Sequence, residues 1–152
     1  MKILIVGAGG REHALAWKTA QSPRAEIIYS SVRAACGGKI IFAEGDLAKK
    51  ESALKFCKEK KIDFVIVGPE APLADGMADL LRENGIPVFG PGKAGARLEN
   101  SKEFSKNFMV TYNIPTSKAE TYKDFSSAKK AITEHPLPVV VKADGLAAGK
   151  GV

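Results

Sequence analysis

Ile3-Leu-Ile-Val-Gly-Ala-Gly-Gly-Arg-Glu-His13 opens as an unbroken apolar run, turns on glycines and passes at once into a helical pattern. A run that is apolar at every position, without alternation, belongs to a strand buried on both faces, as in a parallel sheet. Further runs of the same kind stand at Glu26 to Ser30, Asp63 to Val67 and Pro87 to Phe89, with a short candidate at Ile40 to Ala43. Helical stretches lie between them: Arg11 to Gln21, Lys49 to Lys60, and Leu73 to Glu83, where Leu73, Met77, Leu80 and Leu81 make one apolar face. Strand alternating with helix predicts an α/β fold with a doubly wound, mostly parallel sheet.

The pattern changes after Phe89. Gly90-Pro-Gly92 breaks it, Ala94 to Leu98 allows a short helix, and Ser101 with Glu103 reads as a new helix start. Phe104, Phe108 and Tyr112 are spaced by four along that helix, and Asn113-Ile-Pro115 ends it. A helix from about Ser126 to Thr133 and a strand from Leu137 to Lys142, with Val139, Val140 and Val141 at its centre, open a second unit. The expected division is therefore residues 1–100 and 101–152.

Composition narrows the classes of function. The 152 residues, 45% hydrophobic and 26% charged, suit a soluble globular protein. The net charge of +6 raises nucleic-acid binding, but Lys49, Lys50, Lys55, Lys58, Lys60 and Lys61 lie beside Glu51 and Glu59 without interleaved aromatics, which is the pattern of a solvated helix face. Cys36 and Cys57 have no spacing for a disulfide framework or a zinc site, so a reducing compartment is expected. Gly7 interrupts the first apolar run too early for a signal peptide or a membrane helix. The expectation is a cytoplasmic protein that binds neither membrane nor nucleic acid.

Gly7 and Gly9 match the first two glycines of the dinucleotide fingerprint, but Glu12 stands at the third, and Tyr29-Ser-Ser31 lacks the acidic residue due about 20 positions on. A nicotinamide-dependent oxidoreductase is disfavoured on both counts. The turn has two readings. Gly9 and Gly10, with Arg11 as a bidentate donor, suit an anion at a helix N-terminus; alternatively the glycines serve only a tight, packed turn and Arg11 is surface charge. Gly68-Pro-Glu-Ala-Pro-Leu73 follows a strand at the edge where open sheets place ligands, so Glu70 is either an acceptor for hydroxyls or an amine, or the start of a helix favoured by its dipole. His13 falls within the first helix and reads as structural.

Lys142-Ala-Asp-Gly-Leu-Ala-Ala-Gly-Lys-Gly-Val152 places a lysine at a strand end before a loop carrying Gly145, Gly149, Lys150 and Gly151. It is not a P-loop, since Asp144 takes the first glycine and Gly151 the hydroxyl position. A lysine on a strand and a flexible glycine flap suit a nucleotide triphosphate.

Gly9-Gly-Arg-Glu-His-Ala-Leu-Ala-Trp-Lys18, Val67-Gly-Pro-Glu-Ala-Pro-Leu73, Phe89-Gly-Pro91, Ser101-Lys102 and Val141 to Val152 occur in the order in which similar motifs occur in phosphoribosylamine-glycine ligases. Across nearly its whole length the chain resembles the N-terminal part of that family, also called glycinamide ribonucleotide synthetases, within the ATP-grasp superfamily. The resemblance implies a Rossmann-like substrate domain followed by the start of an ATP-grasp module. It implies that ATP phosphorylates the carboxylate of glycine and that the amine of 5-phosphoribosylamine attacks the glycyl phosphate, giving glycinamide ribonucleotide, ADP and phosphate in purine biosynthesis.

By the same resemblance Gly9, Gly10, Arg11, Glu12 and Glu70 hold phosphoribosylamine, while Lys102, Lys142, Gly145, Gly149, Lys150 and Gly151 approach ATP. Magnesium or manganese ligands and the glycine site are expected beyond Val152, so the isolated chain is expected to be inactive, and either to self-associate or to carry a mobile tail; the parent enzyme is expected to be a monomer. Where the family has Pro-Gly-Asn-Ala-Gly after the second strand, this sequence has Val32-Arg-Ala-Ala-Cys36, which weakens a ligand role there. The rival reading is a binding module without catalysis.

Overall fold

The computed structural model describes residues 1–136 and 138–147. The chain divides into two compact units, Met1–Ala96 and Arg97–Val152.

In the first unit five parallel strands form one sheet: β1 (Lys2–Val6), β2 (Ile27–Ser30), β3 (Ile40–Phe42), β4 (Phe64–Val67) and β5 (Val88–Phe89), in the order β3-β2-β1-β4-β5. The continuous apolar runs have the cause expected of them. Leu4 and Val6 point into one core with Val65, Val67, Met77 and Leu81, while Ile3 and Ile5 point into the other with Ala16 and Ile28. Alternate side chains thus go to opposite faces and both faces are covered. The unit's helices are α1 (Gly10–Ala20), α2 (Lys50–Lys60), α3 (Glu70–Ala74) and α4 (Met77–Glu83); α5 (Lys93–Asn100) includes the boundary between the units at Ala96 and Arg97.

The single helix expected over Leu73 to Glu83 is two helices. Gly76 lies between them in the left-handed region, at φ 88°, and that backbone ends one helix and starts the next. Burial of Leu73, Met77 and Leu81 survives the break. The lysines of α2 are largely solvated, and Lys55 lies 3.9 Å from Glu59 one turn on.

The chain leaves β1 through α1 toward β2 and β3 on one side, and through α2 and β4 toward β5 on the other. The strand order therefore reverses between β1 and β4, and a crevice opens beyond their carboxyl ends, where such sheets place ligands. Val6 pairs with Val67, so Gly7 and Gly68 stand side by side at its floor.

The second unit contains α6 (Lys102–Thr111) and α7 (Phe125–Glu134). Ser101 caps α6 through its hydroxyl, which accepts from the Phe104 N–H at 3.1 Å. Phe108 stacks on Tyr112 with ring centroids 4.6 Å apart, and Arg97 lies over the Phe104 ring. The strand expected over Leu137 to Lys142 is not formed: residues 138–142 are non-regular, and Val140 and Val141 are exposed. Leu137 lies outside the described residues. A strand needs a neighbour for its N–H and C=O groups, and no strand of the second unit is present among the described residues to supply one.

Candidate functional site

Arg11, Glu12 and Glu70 come together over the floor of the β1/β4 crevice. The Arg11 Nε donates to Glu12 Oε1 at 3.0 Å, and its Nη1 donates to Glu70 Oε1 at 2.8 Å. Arg11 belongs to α1 and Glu70 to the first turn of α3, so this ion pair spans the crevice from the helix after β1 to the helix after β4. Glu70 begins α3, as the helix-start reading expects, and its carboxylate pairs with Arg11.

Glu12 is the buried member, only 3% exposed. Its Oε2 accepts from the Gly9 N–H at 2.8 Å, which satisfies a donor just ahead of its own helix. A cradle of glycines makes room for it. A side chain at Gly7 would put its Cβ 2.7 Å from Glu12 Cγ, and one at Gly68 would come within 2.1 Å of Oε1. Gly7 also adopts φ 113°, so backbone and contact both demand glycine there.

Electrostatics follow from the geometry. The hydrogen bonds to Glu70 and then Glu12 raise the Arg11 pKa, so the guanidinium stays charged. The same Arg11 bond, followed by a backbone hydrogen bond, holds Glu70 below the usual carboxylate range. Arg11 keeps N–H groups that neither glutamate uses, on a side chain that is 55% exposed. Arg11 is more than the surface charge of the tight-turn reading, since it is the partner of a buried carboxylate. Gly10 is open, with no atom within 4 Å of a built Cβ, whereas the Gly9 N–H is already taken.

The loop after β2 packs for itself. Arg33 lies 3.8 Å from the centroid of the Phe42 ring, and the Ser30 hydroxyl accepts from the Val32 N–H. His13 is half-buried on α1, away from the charge cluster's hydrogen bonds.

In the second unit Asp144, dismissed in sequence as a misplaced P-loop glycine, proves to be the organising residue. Its Oδ1 accepts from the Lys102 N–H at 2.6 Å and the Glu103 N–H at 3.3 Å, and its Oδ2 accepts from the Ser101 hydroxyl at 3.2 Å. Burial pushes its pKa up, but the N–H groups of Glu103, Gly145 and Lys102 and the Ser101 hydroxyl outweigh it and hold the carboxyl below its ordinary range. The Lys102 ammonium donates to the Gly145 carbonyl at 2.8 Å, while Lys142 is exposed. Lys102 and Gly145 are thus brought together. Gly149, Lys150 and Gly151 lie outside the described residues. No local sequence signal could have found Asp144, since its partners are more than 40 positions away.

Among the described residues no group of three histidines, cysteines or carboxylates is placed to hold a metal ion, and no helix is long and apolar enough to cross a membrane.

Among solved structures, the biotin carboxylase domain of Hydrogenobacter thermophilus 2-oxoglutarate carboxylase aligns with 97% of this chain and 36% of its own, with a TM-score of 0.69 at 22% identity. The N5-carboxyaminoimidazole ribonucleotide synthetase of Thermotoga maritima aligns with 85% of this chain and 35% of its own, with a TM-score of 0.57 at 18% identity. These likenesses speak to the fold alone.

In sequence, the phosphoribosylamine–glycine ligases of Mesorhizobium japonicum and Clostridium acetobutylicum are 52% and 46% identical over all of this chain, which spans 36% and 37% of their lengths. Residues 1–99 match the phosphoribosylglycinamide synthetase N domain, and residues 100–152 match the ATP-grasp (A) domain of the same synthetase. The matches run through the glycine turn, the charged crevice and the Lys102–Asp144 junction, and on them the chain belongs to the phosphoribosylglycinamide synthetase family.

Proposed function

We propose that this chain is the N-terminal part of an ATP-dependent ligase that joins glycine to 5-phosphoribosylamine through a glycyl phosphate, releasing glycinamide ribonucleotide, ADP and phosphate. Residues 1–100 form the phosphoribosylamine-binding domain, and 101–152 the linker helix and first part of the ATP-grasp module. The observation that carries the reading is the Arg11–Glu12–Glu70 cluster at the β1/β4 crevice, together with relatives named for this reaction.

Gly9, Gly10, Arg11, Glu12 and Glu70 form the phosphoribosylamine site in this reading. Glu70 accepts from an amine or a ribose hydroxyl. Arg11 offers its unused N–H groups to an anionic or hydroxyl oxygen, and Glu12 holds Arg11 and the Gly9 turn in place. Lys102, Lys142, Gly145, Gly149, Lys150 and Gly151 serve ATP, where lysine charge offsets the charge of a transferring phosphoryl group. Asp144 fixes the base of that loop to the start of α6. Magnesium, or manganese in its place, finds no donor set among the described residues.

Calorimetric titration with a stable phosphoribosylamine analogue tests the substrate site. Glu70→Ala removes a charge-assisted hydrogen bond of about 1.5 to 3 kcal/mol, so affinity should fall roughly tenfold to more than a hundredfold. Equal affinity for the two proteins would remove Glu70 from the site.

A further inference from the structure

The β1/β4 crevice has the position and the first two glycines of a dinucleotide site, yet a carboxylate lies across its floor. A dinucleotide lies across such a crevice with its pyrophosphate over the turn after β1, which requires free N–H groups there and an unobstructed path toward β4. Three observations oppose that path. Glu12 Oε2 takes the Gly9 N–H at 2.8 Å. The Glu12 side chain fills the space between Gly7 and Gly68, where a Cβ added at Gly68 would meet Oε1 at 2.1 Å. The Arg11–Glu70 bridge, at 2.8 Å, then crosses above it from α1 to α3.

We propose that Glu12 is the specificity determinant that bars dinucleotides from this crevice: its buried carboxylate occupies the floor in place of the third fingerprint glycine and anchors the Arg11–Glu70 bar above it. A ligand shorter than a dinucleotide is confined to the outer side, where Gly10 is open and Arg11 has unused N–H groups. The exclusion does not depend on which short ligand binds. It rests on a filled volume and a spent donor.

The test restores the missing glycine. Wild type, Glu12→Gly, Glu12→Ala and Glu12→Gln are titrated calorimetrically with ADP-ribose and with NAD, after circular dichroism and a cooperative urea transition have shown each variant folded. Glu12→Gly and Glu12→Ala should bind at least tenfold more tightly than wild type, whereas Glu12→Gln, equal in size, should stay closed. Wild-type binding as tight as that of the small variants, or a folded Glu12→Gly that gains nothing, overturns the proposal. Wild type alone gives a second readout that can overturn the proposal. Its Gly9 amide resonance should stay unmoved by millimolar NAD, and a saturable shift there overturns the inference even where the small variants do not fold. The phosphoribosylamine analogue is titrated separately, so failure of the substrate reading leaves this result distinct.

Discussion

Replacing Gly68 with alanine tests the glycine cradle at its tightest point. The new Cβ would lie 2.1 Å from Glu12 Oε1, 2.7 Å from Cδ and 2.8 Å from Cγ, so one of the two side chains must yield. If Glu12 retreats, it gives up the Gly9 N–H, a hydrogen bond to a charged group of about 1.5 to 3 kcal/mol. The Arg11 contact adds only about 0 to 1 kcal/mol, because its guanidinium is largely solvated and the pair is screened. If Glu12 stays, overpacking costs about 1 to 3 kcal/mol. The protein takes the cheaper route, which sets the expected loss near ~2 kcal/mol, or about 1 M in urea midpoint at an m-value of about 2 kcal/mol/M. Gly10→Ala is the internal control: nothing lies within 4 Å of its built Cβ and it sits in the first turn of α1, so it should gain about 0.4 to 1 kcal/mol. Urea unfolding followed by far-UV circular dichroism reads both. A Gly68→Ala midpoint within experimental error of wild type, or losses of similar size in both variants, would refute the cradle.

Arg11→Ala leaves the buried Glu12 carboxylate without its guanidinium, so the loss should fall at about 1 kcal/mol, more than a bare surface arginine would show; an unchanged urea midpoint would argue against the pairing. Burial pushes the Cys57 thiol up to about 11, and the side chain is inaccessible, whereas Cys36 is exposed. A thiol reagent at neutral pH should therefore label one cysteine rapidly and the second only on unfolding, and rapid double labelling would refute that burial. The Asp144 pKa is lowered in the folded state, so its contribution to stability is present above the unfolded value, about 3.9, and is lost as pH falls through the lower folded value. The Lys102 and Glu103 amide resonances should report one titration with a midpoint below the ordinary aspartate range, absent in Asp144→Asn; a midpoint at or above that range would contradict the capping geometry.

The five strands, the helix face of Leu73, Met77 and Leu81, and the α6 start at Ser101 are legible from the chain because their cause is periodic and local. Consecutive apolar residues report burial on both faces, and a hydroxyl three residues ahead of its N–H partner reports a cap. The glycine turn and Glu70 could likewise be placed at the ligand edge, since each directly follows a strand. Tertiary structure alone decided what these residues do to one another. Glu12 reads in sequence as a flaw in a fingerprint, and becomes a buried carboxylate only because β1 and β4 set Gly7 beside Gly68. Asp144 reads as a loop residue, and becomes a helix cap only because folding brings it to Lys102 and Glu103. The valines at 139–141 have strand propensity, but a strand exists only with a partner, and pairing is not a property of the segment that carries the propensity. Periodicity encodes which face a residue turns inward; it does not encode which distant residue meets it there.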